Sequence, residues 1–589
     1  MQNAQLIHAI SAFVFLMPAA IAAQTPNPMG GNPPVNLAAS APQTNPNDLC
    51  ALEGRVVDAA TGEPVRKASL VLNRTDAARS ASGLPQSFST SSDASGGFAM
   101  KNLEPGSYRL RASRNGFVTT EYGARRASSA GTVLSLRRGQ QMKDVEIRLT
   151  PHGVVTGRIL DEDGEPVASA STQLLKLQYV NGKKQLTATG AGTTNDLGEY
   201  RVFGLAPGKY YVSASFLIAD STSADRSAAP RPEEDYVPTY YPGTRDPASA
   251  VPIEVAAGAQ AARIDMVLAK THTVTIKGHV NPAGAVPMLY MAPRSLFGPV
   301  SLKMVRVDAK GDFEIRGVAP GAYALTGSTR QNGKAYSSSL PVDAGSANIE
   351  GLTFTIEPGF PVAGRLRVDG ETKEDFSKVQ VRLQAREMGI GSLMAAMGSA
   401  LTGGTPGAAT GKVEKDLSFR LEDVNADRYD VTLSGLADGF YVSAIRCGDA
   451  DVLLSGLALS GGPPEPVEIV VSPRAGQIGG SVQNPKTLQP APEATVALVP
   501  QEKERRDRPV YYQQATTDQS GRFTFKNLPP GGYRVFAFED VEDGAWMDPD
   551  FMKPLETKGE PVTVRESGQE TVQLKLIPAD APGNPARER

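Results

Sequence analysis

Four histidines, His8, His152, His272 and His279, are the whole imidazole inventory of a 589-residue chain, so they bound the metal and acid–base chemistry it can run. A hydrolytic zinc centre needs about three correctly placed protein ligands plus an open position. None of the four opens an H-x-x-E or H-E-x-x-H pattern. His272 and His279 lie seven residues apart, flanking one expected strand, and an odd separation on a strand sends them to opposite faces. They read as surface histidines. No G-x-S-x-G elbow occurs, and so few histidines leave no Ser-His-Asp set. Gly407-Ala408-Ala409-Thr410-Gly411-Lys412-Val413 looks superficially like a phosphate loop, but it fails on spacing and lacks a Ser or Thr after Lys412. Asp161-Glu162-Asp163-Gly164 looks like a fragment of a calcium loop; without a bidentate glutamate further on, a β-turn explains it fully. The chain is therefore expected to be no enzyme, with no cofactor and no metal.

Binding chemistry has one better candidate. Glu539 to Phe551, EDVEDGAWMDPDF, holds the only tryptophan, with Asp540, Glu542, Asp543, Asp548 and Asp550 around it. Aromatic rings stack on sugar faces while carboxylates accept hydroxyl bonds, so Trp546, Tyr511, Tyr512, Asp543 and Asp548 form a candidate ligand-binding set for a polysaccharide. The structural alternative is a tryptophan capping the end of its domain, with the acids in solvated loops. It is the stronger reading, because amphipathic aromatics commonly bury the ring and keep the polar tip wet.

These residues hang on a repeated element. Asp518 to Tyr533 reads DQSGRFTFKNLPPGGY: an Asp and a Gly for a tight turn, Phe523 and Phe525 alternating with polar residues, then Pro530 and Gly531 before Tyr533 and Val535. Period-two alternation between two turn signals predicts a β-hairpin. The pattern returns as Asp93, Gly96, Phe98, Pro105, Gly106, Tyr108, as Asp196, Gly198, Tyr200, Pro207, Gly208, Tyr210, and as Asp308, Gly311, Phe313, Pro320, Gly321, Tyr323. A degenerate copy, Asp416, Phe419, Leu421, Val424 and Tyr429, has lost both turn glycines. The closing tyrosines at 108, 210, 323, 429 and 533 are separated by 102, 113, 106 and 104 residues. Each step is a domain's length, far above the repeat of roughly 20–50 residues that marks a solenoid. A further hairpin is expected upstream in each copy, as in Leu52 to Asp58 turning at Thr61-Gly62-Glu63-Pro64-Val65 into Ala68 to Leu72.

Composition agrees with many short strands and turns: Gly and Pro together make 104 residues, without a collagen period. A net charge of −3 with dispersed Lys and Arg excludes an electrostatic footprint for nucleic acid. Leu6 to Ala20 is an apolar run followed by Ala20-Ile21-Ala22, a pattern that predicts a cleaved signal peptide and export to the periplasm, cell surface or medium. No later stretch is long and apolar enough to span a bilayer. Gln24 to Asp48 is too poor in large apolar residues to pack and is expected to be a disordered linker. Ala219 to Thr244 reads as a long decorated loop with Tyr236, Tyr240 and Tyr241 near the surface, and Met388 to Lys412 as a mobile Gly/Ala/Met loop with a helical turn around Leu393 to Met397. Cys50 and Cys447, in the first and fourth copies, are expected to be unpaired thiols. Little linker separates the fourth copy from the fifth between Ser472 and Ile478, which predicts a stiff joint.

With GRVVDAATGEPVRKASL and DASGGFAMKNLEPGSYRL and their later copies in view, each unit resembles the carboxypeptidase regulatory-like domain, a transthyretin-like (prealbumin-like) β-sandwich related in shape to starch-binding and collagen-adhesin B modules. The chain resembles multi-repeat exported bacterial proteins of this kind. The resemblance implies an all-β string of five sandwiches after the signal peptide and linker: signal peptide 1–23, linker 24–49, domains 50–150, 151–270, 271–357, 358–474 (degenerate) and 475–578, and a polar tail 579–589. It also implies a noncatalytic binding and spacer role in the cell envelope or extracellular space, reach coming from end-to-end repetition. Polysaccharide or envelope proteins are the expected partners, with carbohydrate binding or an accessory subunit of an envelope peptidase as the alternatives. Intramolecular Lys–Asn bonds, found in the adhesin relatives, would need a lysine in a first strand, and only Lys277 sits in one.

Overall fold

The computed structural model describes residues 48–75, 86–124, 131–216, 234–282, 288–294, 303–331, 334–386 and 408–579. The expected signal peptide, nearly all of the linker and tail, residues 219–233 and residues 388–407 with the helical turn expected there lie outside them. Five hydrophobic clusters, built around Leu52 and Tyr108, Val155 and Tyr210, Ile276 and Phe354, Val381 and Ile469, and Ile478 and Tyr533, give five separate interiors. The fold is all-β, a string of β-sandwiches.

Each sandwich uses one plan. In the fifth, one sheet orders Arg522–Leu528, Gly476–Gln483 and Gln569–Lys575, with Gln569–Lys575 parallel to the central Gly476–Gln483; the other orders Gln513–Thr516, Thr495–Pro500, Gly531–Phe538 and Glu560–Val564. Consecutive strands on either side of the Pro-Gly turn therefore lie in opposite sheets, and the expected hairpin is instead a crossover between layers. The upstream pair behaves alike: Cys50–Asp58 and Ser69–Arg74 also belong to different sheets. Alternation cannot separate these cases, because a strand in either layer turns every second side chain to the common core. Phe523, Phe525 and Leu528 enter it from one sheet, Tyr533 and Val535 from the other.

In each sandwich's first strand a glycine permits the parallel pairing. A Cβ on Gly54, Gly157, Gly278, Gly364 or Gly480 would stand 2.0–2.3 Å from a carbonyl oxygen of the closing segment (Val145, Ile264, Leu352, Val467, Val572). The fourth sandwich departs from the plan at one edge, where Tyr441–Cys447 adds antiparallel to the closing strand Val467–Ser472 and Ala450–Asp451 follows it.

Two alignments change. In the second copy Asn195, not Asp196, sets the turn: its Oδ1 accepts from Leu197 N and Glu199 N at 3.0 and 2.8 Å, as Asp518 Oδ1 accepts from Ser520 N and Arg522 N. In the fourth, Glu414 takes the Asp position by backbone pairing, and Leu417 adopts φ +64° where the other copies place Gly96, Gly198, Gly311 and Gly521. Asp416 then serves the turn from two residues later, accepting from Ser418 N at 3.1 Å.

Candidate functional site

The candidate ligand-binding residues lie on two excursions of the fifth sandwich. One leaves Thr495–Pro500 and makes the short helices Lys503–Arg506 and Pro509–Tyr511; the other leaves Gly531–Phe538 and makes Ala545–Met547, Pro549–Met552 and Lys553–Lys558. Their apolar faces close on the outer side of the sheet, where Ala497, Val499, Phe536 and Phe538 join Tyr512, Trp546, Phe551, Met552 and Leu555 in a second, smaller core. Two sequence features cause this. Val496 to Val499 and Val535 to Phe538 are apolar without interruption, so both faces of the sheet need cover.

Trp546 is 3% exposed, and its Nε1 has no hydrogen-bond partner among the described residues. Tyr512 joins the same cluster, and its hydroxyl donates to Arg506 O at 3.0 Å; burial pushes its phenol up to about 12. Tyr511 turns elsewhere, under the Arg505 guanidinium at 5.2 Å, and burial raises its pKa. Asp548 accepts from Asp550 N at 2.9 Å and Phe551 N at 3.4 Å as the N-cap of Pro549–Met552. Asp543 accepts from Gln514 Nε2 at 3.4 Å. Of the five, the structure brings Tyr512 and Trp546 into one cluster, with their rings inward. In this arrangement the sheet's outer face takes the rings first, and Trp546 sits as the buried tryptophan of the stronger reading.

The histidines also resolve. His272 lies on Lys270–His272 and His279 on Val274–Asn281, two strands rather than one. His279 Nδ1 is 2.8 Å from Asp312 Oδ1 on the rim of an open groove of about 720 Å³ lined by Lys277, Arg306, Asp308, Phe313 and Glu314. Among the described residues no three metal-ligating side chains converge. Lys277 Nζ faces solvent and lies 3.5 Å from the Glu350 carboxylate, so the described geometry sets an acid rather than an asparagine beside it. Cys50 is buried and Cys447 half-buried, both unpaired; burial and Glu465 push the Cys447 thiol up. Tyr240 is buried at 4% exposure, against the surface position expected for it, while Tyr236 and Tyr241 are half-buried.

Residues that sequence reasoning did not assign hold each sandwich shut. The closing tyrosine of every copy donates its hydroxyl to the carbonyl four residues earlier: Tyr108 to Glu104, Tyr210 to Ala206, Tyr323 to Ala319, Tyr429 to Asn425 and Tyr533 to Pro529. The P-G-x-Y spacing was the available signal. A buried hydroxyl precedes the turn in three copies. Ser92, Thr194 and Thr517 each accept a backbone N–H and donate to a carbonyl three residues before it.

Between sandwiches, the joint of the fourth with the fifth is polar and close. Arg508, 6% exposed, reaches Asp430 and donates to Leu453 O at 3.2 Å, while Arg386 Nε holds the same carboxylate at 2.9 Å. Lys526 pairs with Asp438 at 2.9 Å, and Gly439 N donates to Asn527 Oδ1 at 2.8 Å. The fifth sandwich also returns to earlier ones. Tyr179 of the second packs on its smaller core, and a cleft of about 310 Å³ lies between Ser135, Arg137 and Gln140 of the first and Asp518, Gln519 and Ser520. Over the described residues, then, the copies are not simply laid end to end.

Residues 51–150 and 477–576 match the carboxypeptidase regulatory-like domain, so the first and fifth sandwiches carry that family's pattern. No curated protein matches the chain. Among solved structures, similarity is found to GBS52, the minor pilin of Streptococcus agalactiae, at 12% identity over 38% of this chain and 96% of that one, with a TM-score of 0.23. The Bacillus anthracis TIE protein is 11% identical over 91% of this chain and 76% of that one, with a TM-score of 0.15. The shaft pilin SpaA of Lactobacillus rhamnosus GG is 12% identical over 38% and 98%, with a TM-score of 0.18.

Proposed function

We propose that this chain is a noncatalytic, exported multi-domain protein of the cell envelope or extracellular space, in which carboxypeptidase regulatory-like sandwiches act as binding and spacing modules. The observation that carries the reading is the repetition: five interiors, each closed by its own tyrosine hydrogen bond, offer five sets of end loops. Loops held by rigid scaffolds are where binding residues concentrate, and linked modules raise effective concentration without new contacts. The apolar run Leu6 to Ala20 with Ala20-Ile21-Ala22 after it supports export. No helix among the described residues is long and apolar enough to cross a membrane.

Envelope proteins are the partner class this reading favours, because the ring best suited to a sugar is covered. The test assays the purified full chain against peptide and glycoside substrates, with and without chelator, and measures its retention on insoluble polysaccharides and on envelope protein. No turnover and saturable retention on envelope protein are expected. Turnover that survives purification to homogeneity overturns the noncatalytic reading; retention on polysaccharide, lost in Trp546→Ala, moves the partner class to glycans.

A further inference from the structure

In the second sandwich Ser171–Val180 and Lys183–Thr193 pair along their full length, from Ser171 opposite Thr193 to Val180 opposite Lys183. Only Ser171 to Leu175 also pairs with Gly208–Ser215, so Lys176 to Val180 and the strand opposite form a two-stranded arm beyond the sheet. Asn181 and Gly182 turn its tip with φ of 48° and 76°. A free two-stranded ribbon is marginal in water, and this one ends on another sandwich.

The tip meets the excursion Ala545 to Lys558. The Tyr179 ring lies 6.3 Å from that of Phe551, and Tyr179 and Met547 pack together against the cluster that holds Trp546. Backbones touch: a Cβ on Gly182 would stand 2.7 Å from Met547 O, and one on Gly544 would stand 3.4 Å from Tyr179 Cβ. Charge is complementary. The arm carries Lys183 and Lys184, the latter 5.3 Å above the Tyr179 ring, and the excursion it meets carries Asp540, Glu542, Asp543, Asp548 and Asp550. Burial and the Asp548 and Glu542 carboxylates raise the Tyr179 pKa, as expected of a ring set among acids.

We propose that the arm of the second sandwich is a latch and the acidic, aromatic excursion of the fifth its docking site, filled within one chain by Tyr179 to Gly182. Docking covers the excursion that bears Trp546 and ties the fifth sandwich to the second across more than two intervening domains' length of sequence. Because part of the attraction is between partly exposed charges, it weakens with salt.

The separation between Tyr179 Cβ and a Cβ at Gly544 lies at the short edge of the disulfide range of about 3.5–4.5 Å. The full chain carrying Tyr179→Cys, Gly544→Cys and Cys447→Ser, oxidised gently at low concentration, is expected to give a faster, reductant-sensitive monomer band. Adding Lys183→Glu and Lys184→Glu should slow its appearance about tenfold at low salt and much less at high salt. A chain with parental circular dichroism that stays uncrosslinked, or that crosslinks only between copies, overturns the latch. Should Gly544→Cys disturb the fifth sandwich, Tyr179→Glu leaves that domain untouched and carries the test by hydrogen exchange. Amides from Gly544 to Met552 are then expected to exchange at least about fivefold faster, and unchanged exchange overturns the proposal.

Discussion

Thr517 shows how much one hydroxyl does in these domains. Fully buried, it accepts from Ala494 N and donates to Ala491 O, both at 2.8 Å. Thr517→Val keeps the shape and strands two buried backbone groups, so it should lower the stability of the fifth sandwich by about 2–3 kcal/mol, and Thr517→Ser by less than about 1, in denaturant unfolding. Val307 and Val413 stand at this position in the third and fourth copies, which do without the hydroxyl. The corner tyrosines make a second prediction. Burial pushes Tyr210, Tyr429 and Tyr533 up to about 12 from an ordinary value of 10. With the folded pKa raised, their contribution is complete below pH 10 and is lost as pH climbs towards 12. Tyrosinate absorbance should therefore rise cooperatively with loss of β-structure in that window; gradual ionisation of a chain that keeps its circular dichroism would contradict it. The tyrosines were legible as a repeated letter, but their bond to the carbonyl four residues back was not, since it depends on how tightly the Pro-Gly turn closes.

Among the strands, close approach decides more than pattern does. Gly480 pairs with the closing strand where a Cβ would lie 2.3 Å from Val572 O and 2.8 Å from the Phe523 ring. Gly480→Ala must push these strands apart, and a loss of about 2–3 kcal/mol is expected, with faster hydrogen exchange in Gln569–Lys575. An unchanged midpoint would refute the packing argument. Strand existence was readable from alternation, as in Phe523 and Phe525. Partner choice was not: alternation reports which side of a strand is buried and is blind to the sheet it joins. The displaced turn alignments have a related cause. Leu417 occupies a left-handed position that its type disfavours, held there by the backbone bonds of Glu414 with Leu417 and Ser418.

Between domains, Arg508 is the residue to remove. It shares Asp430 with Arg386 at the joint of the fourth and fifth sandwiches, and Asp430 is about a third exposed. Arg508→Ala should weaken the coupling by about 2 kcal/mol, less than a fully buried pair would lose. The expected signature in calorimetry is two separated transitions where the parent chain shows one for these two domains, and an unsplit transition would count against a stiff joint built on this residue. The short linker between Ser472 and Ile478 says only that these two domains are adjacent; the chemistry of their contact was not legible, because Arg508 and Asp430 are 78 residues apart.

The sequence by itself determined that the chain is all-β and that one sandwich plan recurs five times, because turn chemistry and period-two burial are local and repeat in register. Tertiary structure alone decided which strands share a sheet, that Trp546 and Tyr512 face inward, and that the arm of the second sandwich reaches the fifth. Those outcomes depend on what covers an apolar face. Val496 to Val499 and Val535 to Phe538 announce that both sides of a sheet must be buried, yet the cover comes from residues as distant as Tyr179, which nothing local could name.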